Sequence, residues 1–134
     1  MQPNDEHTSP FKSRSGLSRL IAATGYSWKG LVAAVRYEAA FRQELAVAVI
    51  LLPVAFWLAE SVPELLLLVG SLLMVLIVEL INSAIEALAD AISLERNPLL
   101  GRAKDLGSAA VFLAVLFAAI VWVGHILANL LPLP

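Results

Sequence analysis

The sequence predicts an all-α membrane protein: one amphipathic helix on the membrane surface and three helices across it. Three observations carry that reading. Of the 134 residues, 60% are hydrophobic and 15% charged, against about 25% charged in soluble domains. Three apolar stretches approach or exceed the roughly 20 residues that a ~30 Å hydrocarbon core requires. The basic residues are confined to two segments. Lys12, Arg14, Arg19, Lys29, Arg36 and Arg42 precede the uncharged part of the first span, and Arg96, Arg102 and Lys104 separate the second span from the third. The turn between the first two spans has no Lys or Arg, and neither does the C-terminus. Positive charge marks the cytosolic side, so the N-terminus is expected in the cytosol and the C-terminus outside. The chain has no cysteine, which excludes disulfides and thiolate metal sites. So few helices bury little surface alone, and an oligomer is expected.

Residues 1–15 are polar and rich in Ser, Pro and charge, which predicts a disordered cytosolic tail, and His7 there reads as a solvated residue. Residues 16–134 form one membrane domain. In Gly16 to Thr24, Leu17, Leu20, Ile21 and Thr24 recur at i, i+3, i+4 and i+7. The segment is too short and charged to span, and fits a helix lying in the interface over about 16–30. Gly25 and Gly30 predict turns around Tyr26, Trp28 and Lys29, residues suited to the headgroup layer. The first span is expected over about 31–59. Glu38 and Arg42 on it stand i, i+4 and can pair, and Pro53 can kink it. Glu60 to Glu64 is a tight turn, with Pro63 able to start the next helix. The second span, about 65–92, would reach about 42 Å at 1.5 Å per residue, so its polar end should protrude from the bilayer. Pro98 biases Asn97 away from helix. Leu99 to Asp105 is a charged connection or the start of the next helix, and the third span is expected over about 105–131. Gly107 to Ala110 offer it a small-residue face for close packing. His125 near its end reads as an interfacial polar group.

The chain is organised around Val78 to Asp90, where charge follows directly on an apolar run. On a helix, with Glu79 at zero, Asn82 falls at roughly −60°, Glu86 at roughly −20° and Asp90 at roughly +20°. Leu80, Ala84, Ala87 and Leu88 take the opposite side. Three carboxylates and a carboxamide on one stripe of a spanning helix are costly without a purpose. With the predicted orientation the stripe descends toward the cytosolic face, where Glu38, Arg42, Lys104 and Asp105 also lie. A site in that layer can take one reactant from water and the other from lipid. Carboxylates without cysteine or nearby histidine suit a hard cation, Mg²⁺ rather than zinc. Lys104 and Arg19 could bind phosphates, and Glu79 could accept a proton from a lipid hydroxyl. This outlines phosphoryl transfer, although a proton pathway could use the same glutamates. Neither the P-loop pattern nor the kinase glycine-rich loop is present.

Four stretches together resemble the prokaryotic diacylglycerol kinase family: Ala23 to Leu31, Glu38 to Glu44, Glu79 to Glu86 with Asp90 after it, and Gly101 to Ala110. The resemblance runs from Arg19 to about Trp122. It implies a homotrimeric helical bundle in the bacterial inner membrane that transfers the ATP γ-phosphate to diacylglycerol, giving phosphatidate. Its partners would be a membrane lipid and MgATP, with no nucleic acid. Glu79 matches the general base, and Asn82 a position near the reacting phosphate. Glu38 and Glu86 match the carboxylates that hold Mg²⁺ on ATP. Arg19, Tyr26, Lys104 and Asp105 match the nucleotide side. Glu95 and Asn97 fall in a loop that touches nucleotide, where Arg96-Asn97-Pro98 departs from the family pattern. The implied lipid side comprises Arg19, Ala40, Phe41, Arg42, Gln43, Glu44, Trp57, Glu79 and Ser108.

Three other readings stand beside this one. The same chemistry could act on undecaprenol, which some relatives phosphorylate. A small proton or ion pathway could be built on Glu79 and Glu86, but it would leave Lys104 and Asp105 without a use. A purely structural membrane subunit would leave Asn82 and the acidic stripe unexplained. For Asp90 and Trp28 the plain readings are solvation of the helix end near Arg96 and interface anchoring.

Overall fold

A computed structural model describes residues 16–131; the predicted disorder of the tail, with His7, lies outside them. The described residues form four α-helices: α1 (Gly16–Tyr37), α2 (Ala39–Leu58), α3 (Val62–Ile92) and α4 (Pro98–Leu130). The last three are each long and apolar enough to cross a membrane, and the protein is a membrane protein. The outward surface suits lipid: Leu66, Phe112 and Ile120 are all more than 60% exposed.

Four boundaries differ from the sequence expectation. The surface helix does not stop near residue 30. α1 runs through Gly25 and Gly30, neither of which has positive φ. A helical glycine is disfavoured by only about 1 kcal/mol relative to alanine. The hydroxyls of Thr24 and Ser27 bond back to the carbonyls of Leu20 and Ala23 within the same turns. The break comes instead at Glu38, whose backbone is extended (φ −101°, ψ 110°). The first span accordingly begins at Ala39, and the 20 residues of α2 suffice to cross. Pro53 lies inside α2 without interrupting it.

Glu38 and Arg42 form no ion pair, because the break takes Glu38 off the face of the following helix. The Arg42 guanidinium instead donates from Nη1 to the carbonyls of Val35 (3.1 Å) and Arg36 (3.3 Å). These are orphan acceptors in the last turn of α1, so Arg42 fastens the surface helix to the first span.

α3 begins at Val62, three residues earlier than expected. Ser61 is its N-cap residue and Pro63 occupies its first turn. Glu64 Oε2 accepts from the Glu60 amide at 2.9 Å, which closes the turn. α4 begins at Pro98, so Leu99 to Asp105 are the start of the helix, one of the two readings, and it opens seven residues before the expected span. Asn97 Oδ1 accepts from the amides of Leu99 (2.9 Å) and Leu100 (3.3 Å), and a proline directly after such a cap is preset for the first helical position. The 31 residues of α3 and 33 of α4 reach about 46 and 50 Å, so both extend beyond the bilayer core.

α3 is the central element. It packs most extensively on α4 and next on α2, while α1 touches α2 more lightly. One core cluster joins Ala55, Leu68 and Trp122, and a second joins Val75, Ala114 and Ala118. The first contains a buried polar relay: the Trp122 indole N–H donates to Ser71 Oγ (3.2 Å), and that hydroxyl donates to the Leu68 carbonyl (2.7 Å). At the same end His125 Nε2 lies 3.2 Å from the Leu58 carbonyl and 3.2 Å from Asn129 Nδ2. His125 thus ties α4 to the end of α2, a partner that the linear sequence hides.

Candidate active site

The predicted stripe is present along α3. Glu79 is 4% exposed and Asn82 8%, Glu86 is half-buried, and Asp90 is exposed where α3 emerges. Leu80, Ala84, Ala87 and Leu88 face away and are more open. Ser83 belongs to the stripe as well and is buried. It was legible from spacing, since four residues beyond Glu79 is roughly +40° on the wheel.

Glu79 sits within Coulombic range of Glu86, Glu38 and Glu44. Four carboxylates from α2, α3 and the α1–α2 break are thereby gathered into one region. Among the described residues the one ion pair is Lys104–Asp90, so none of these four is in an ion pair. Asn82 Nδ2 donates to Glu86 Oε1 at 3.1 Å. Three buried side-chain atoms have no partner among the described residues: Glu44 Oε2, Asn82 Oδ1 and Ser83 Oγ.

Lys104, on the first turns of α4, pairs with Asp90 at the last turns of α3 and also acts on Glu86. It therefore joins the stripe to the end of the bundle where α3 connects to α4. There a cavity of about 530 Å³ opens between the ends of α3 and α4, lined by Asp90, Ser93, Glu95, Arg96, Asn97 and Lys104 among others. Three of the residues expected on the nucleotide side, Glu95, Asn97 and Lys104, line it. Asp90 does more than solvate a helix end near Arg96: it holds Lys104. That pairing spans 14 residues across a turn, and nothing in the local sequence signals it.

Two further hollows meet the acidic region. One, about 750 Å³, lies between α1 and α3 and is lined by Ser27, Tyr37, Glu38, Ser83 and small residues of both helices. The other, about 340 Å³, is an apolar groove with Gln43 and Glu44 at one end and Trp122 at the other. The remaining expected residues are more scattered. Arg19 and Tyr26 are exposed on α1, and the Lys29 ammonium stands 5.9 Å from the Tyr26 ring centroid. Ala40 and Arg42 are exposed on α2, but Phe41 is buried at 2% and serves the core. Trp57 is 82% exposed near the opposite end of α2 from Glu44. Asp105 and Ser108 are exposed on α4.

Fold and site together define a small polytopic membrane protein in which a group of carboxylates without ion pairs among the described residues lies between a polar cavity at one end of the bundle and apolar grooves on its flanks. That is the arrangement of an integral-membrane enzyme acting where lipid meets water. The comparisons with known proteins agree and narrow the class. The family described as prokaryotic diacylglycerol kinase matches residues 25–126. A diacylglycerol kinase of Pseudomonas aeruginosa is 54% identical over 114 residues, covering 85% of this chain and 93% of that protein. One of Escherichia coli K12 is 50% identical over 108 residues (81% and 88%), and one of Helicobacter pylori 26695 is 38% identical over 113 (84% and 88%). The chain belongs to the prokaryotic diacylglycerol kinase family.

Proposed function

We propose that the protein transfers the γ-phosphate of ATP to the free hydroxyl of diacylglycerol at the cytosolic face of the bacterial inner membrane. The observation that carries this reading is the near-complete burial of Glu79 beside Glu38, Glu44 and Glu86, with no cation paired to any of them. Oxygen donors of this kind fit a hard divalent cation completed by phosphate oxygens. Glu38 and Glu86 would hold Mg²⁺, which neutralises charge on the transferring phosphate when bound.

The lipid hydroxyl approaches from the bilayer side and Glu79 accepts its proton. The hydroxyl oxygen bonds to the γ-phosphorus as the bond to the β–γ bridging oxygen breaks, and ADP leaves toward water. Asn82 holds Glu86 in orientation. Lys104, held by Asp90, presents a cation to the phosphates at the cavity mouth, with Glu95 and Asn97 lining the same cavity; Arg19, Tyr26 and Asp105 are assigned to the nucleotide side on the family resemblance alone. Gln43 and Glu44, at one end of the apolar groove, stand where the lipid would approach. The partnerless oxygens of Glu44 and Ser83 support association with a further subunit, since a buried polar atom is costly until something satisfies it; that the assembly is a homotrimer rests on the family resemblance.

The test is transfer of label from γ-³²P-ATP in mixed micelles, with diacylglycerol and undecaprenol offered side by side. Label in phosphatidate is the expected result. Label in undecaprenyl phosphate alone would reassign the acceptor, and no label in either lipid from folded protein would overturn the reading.

A further inference from the structure

We infer that Gly107 is a positioning residue for the reaction: its missing side chain fixes the aim of Asn82, and through it the aim of Glu86. The inference rests on the reading of Glu86 as a residue of the phosphate and cation side.

Asn82 and Gly107 face each other across the α3–α4 contact, and both are buried. A Cβ built on Gly107 would overlap Asn82 Oδ1 and lie 3.4 Å from Asn82 Cγ, with Ile85 Cδ1 at 3.7 Å. The other six glycines of the chain have open space where a Cβ would stand. Gly107 therefore differs from the rest of its type. The position is set by close approach and not by backbone conformation, since no glycine has positive φ.

The orientation of the amide follows. Asn82 has one good partner, Glu86, which as a carboxylate accepts and does not donate. Nδ2 must therefore point to Glu86, as the 3.1 Å bond has it, and this turns Oδ1 toward α4. There Oδ1 meets no donor from a side chain or amide. It meets the Cα of Gly107, whose hydrogens are the one kind of weak donor that a close helix crossing offers. A methyl group at 107 removes that space. The atom it would strike is the tip of a side chain and not backbone, so the amide can swing aside with little harm to the fold. Swinging aside turns Nδ2 off Glu86. A substitution here should thus be mild for stability and severe for the site, the reverse of what a helix-packing glycine would show.

The experiment compares Gly107→Ala with Gly124→Ala, a position on the same helix where a Cβ meets nothing. Both variants are purified in micelles. Three readouts are taken: unfolding midpoint, kcat, and the Mg²⁺ concentration giving half-maximal binding of a non-hydrolysable ATP analogue. Gly107→Ala should keep its unfolding midpoint, lose about tenfold or more in kcat, as small misplacements at a reacting site do, and need several-fold more Mg²⁺ for analogue binding. Gly124→Ala should match the parent in all three. Combining Gly107→Ala with Asn82→Ala supplies the decisive arm, because the methyl then has no amide to strike. It should add less than about twofold to the loss caused by Asn82→Ala alone, the sign of two residues acting as one unit. Equal losses in both backgrounds would overturn the inference. So would a fall in unfolding midpoint with an unchanged Mg²⁺ titration. Failure of Gly107→Ala to fold would also overturn it, since the position would then be one of helix packing. A parent protein without kinase activity would fail the proposed function. Independent effects in an active parent would fail this inference alone.

Discussion

Glu86 stands between two groups, one of which fixes its orientation. Asn82 Nδ2 holds one of its oxygens at 3.1 Å, and the Lys104 ammonium acts on it from the first turns of α4. A carboxylate so placed keeps a defined direction while its other lone pairs stay available for a cation or its water shell. Glu86→Gln keeps the shape and removes the charge, and the amide can still accept from Asn82. The variant should fold as the parent does and require roughly tenfold more Mg²⁺ for half-maximal turnover, in line with the loss of one anionic ligand of two or so. A Mg²⁺ titration of initial rates checks this, and superimposable curves would remove Glu86 as a ligand.

Each element is tied to the next by one or two polar contacts set into apolar packing. Arg42 closes the last turn of α1, Asn97 opens α4, His125 holds the end of α2, and Ser71 receives the Trp122 indole. The last is the most buried, with Ser71 at 1% exposure. Ser71→Ala would leave the indole N–H without its acceptor inside the bundle and should destabilise the protein by about 1 kcal/mol. Denaturation of micelle-bound protein by increasing SDS would show it as an earlier midpoint, and Ser71→Thr, which keeps the hydroxyl, should recover most of the loss. An unchanged midpoint for Ser71→Ala would mean that the bond contributes nothing. These ties also mark where sequence reading stops. Period and hydropathy located all four helices, and the wheel located the stripe, because both properties repeat along the chain. Helix ends depended on single residues instead. Gly25 and Gly30 looked like breakers but stay helical at modest cost, whereas Asn97 is non-helical as Pro98 implied and caps α4. Contacts between residues far apart in sequence, such as Asp90–Lys104, Asn82–Gly107 and His125–Leu58, have no local pattern and needed the fold.

At the scale of the molecule, α3 carries the acidic stripe from within the bundle to the end that bears the cavity, and the flanking helices add charged groups to it. Glu38 and Glu44 come from the α1–α2 break and α2, and Lys104 from α4. The proposed orientation puts this end in the cytosol, where ATP is, and puts the α2–α3 turn outside. Glu60 lies in that turn, exposed at the start of the link to α3. The chain has no cysteine of its own, so a single Glu60→Cys is a clean probe. An impermeant maleimide should label it from outside intact spheroplasts. Protection until the membrane is opened would reverse the topology and place the acidic cluster on the side without ATP.

The central claim is that Glu79 removes the proton of a lipid hydroxyl during phosphate transfer. Its most direct test is turnover of Glu79→Gln in micelles with diacylglycerol and γ-³²P-ATP, beside MgATP binding by the same preparation. The account predicts a folded protein that binds MgATP as the parent does and forms phosphatidate at least about 10²-fold more slowly, the lower range for loss of a positioned base. Phosphatidate formed at near-parental rate by the variant would contradict it.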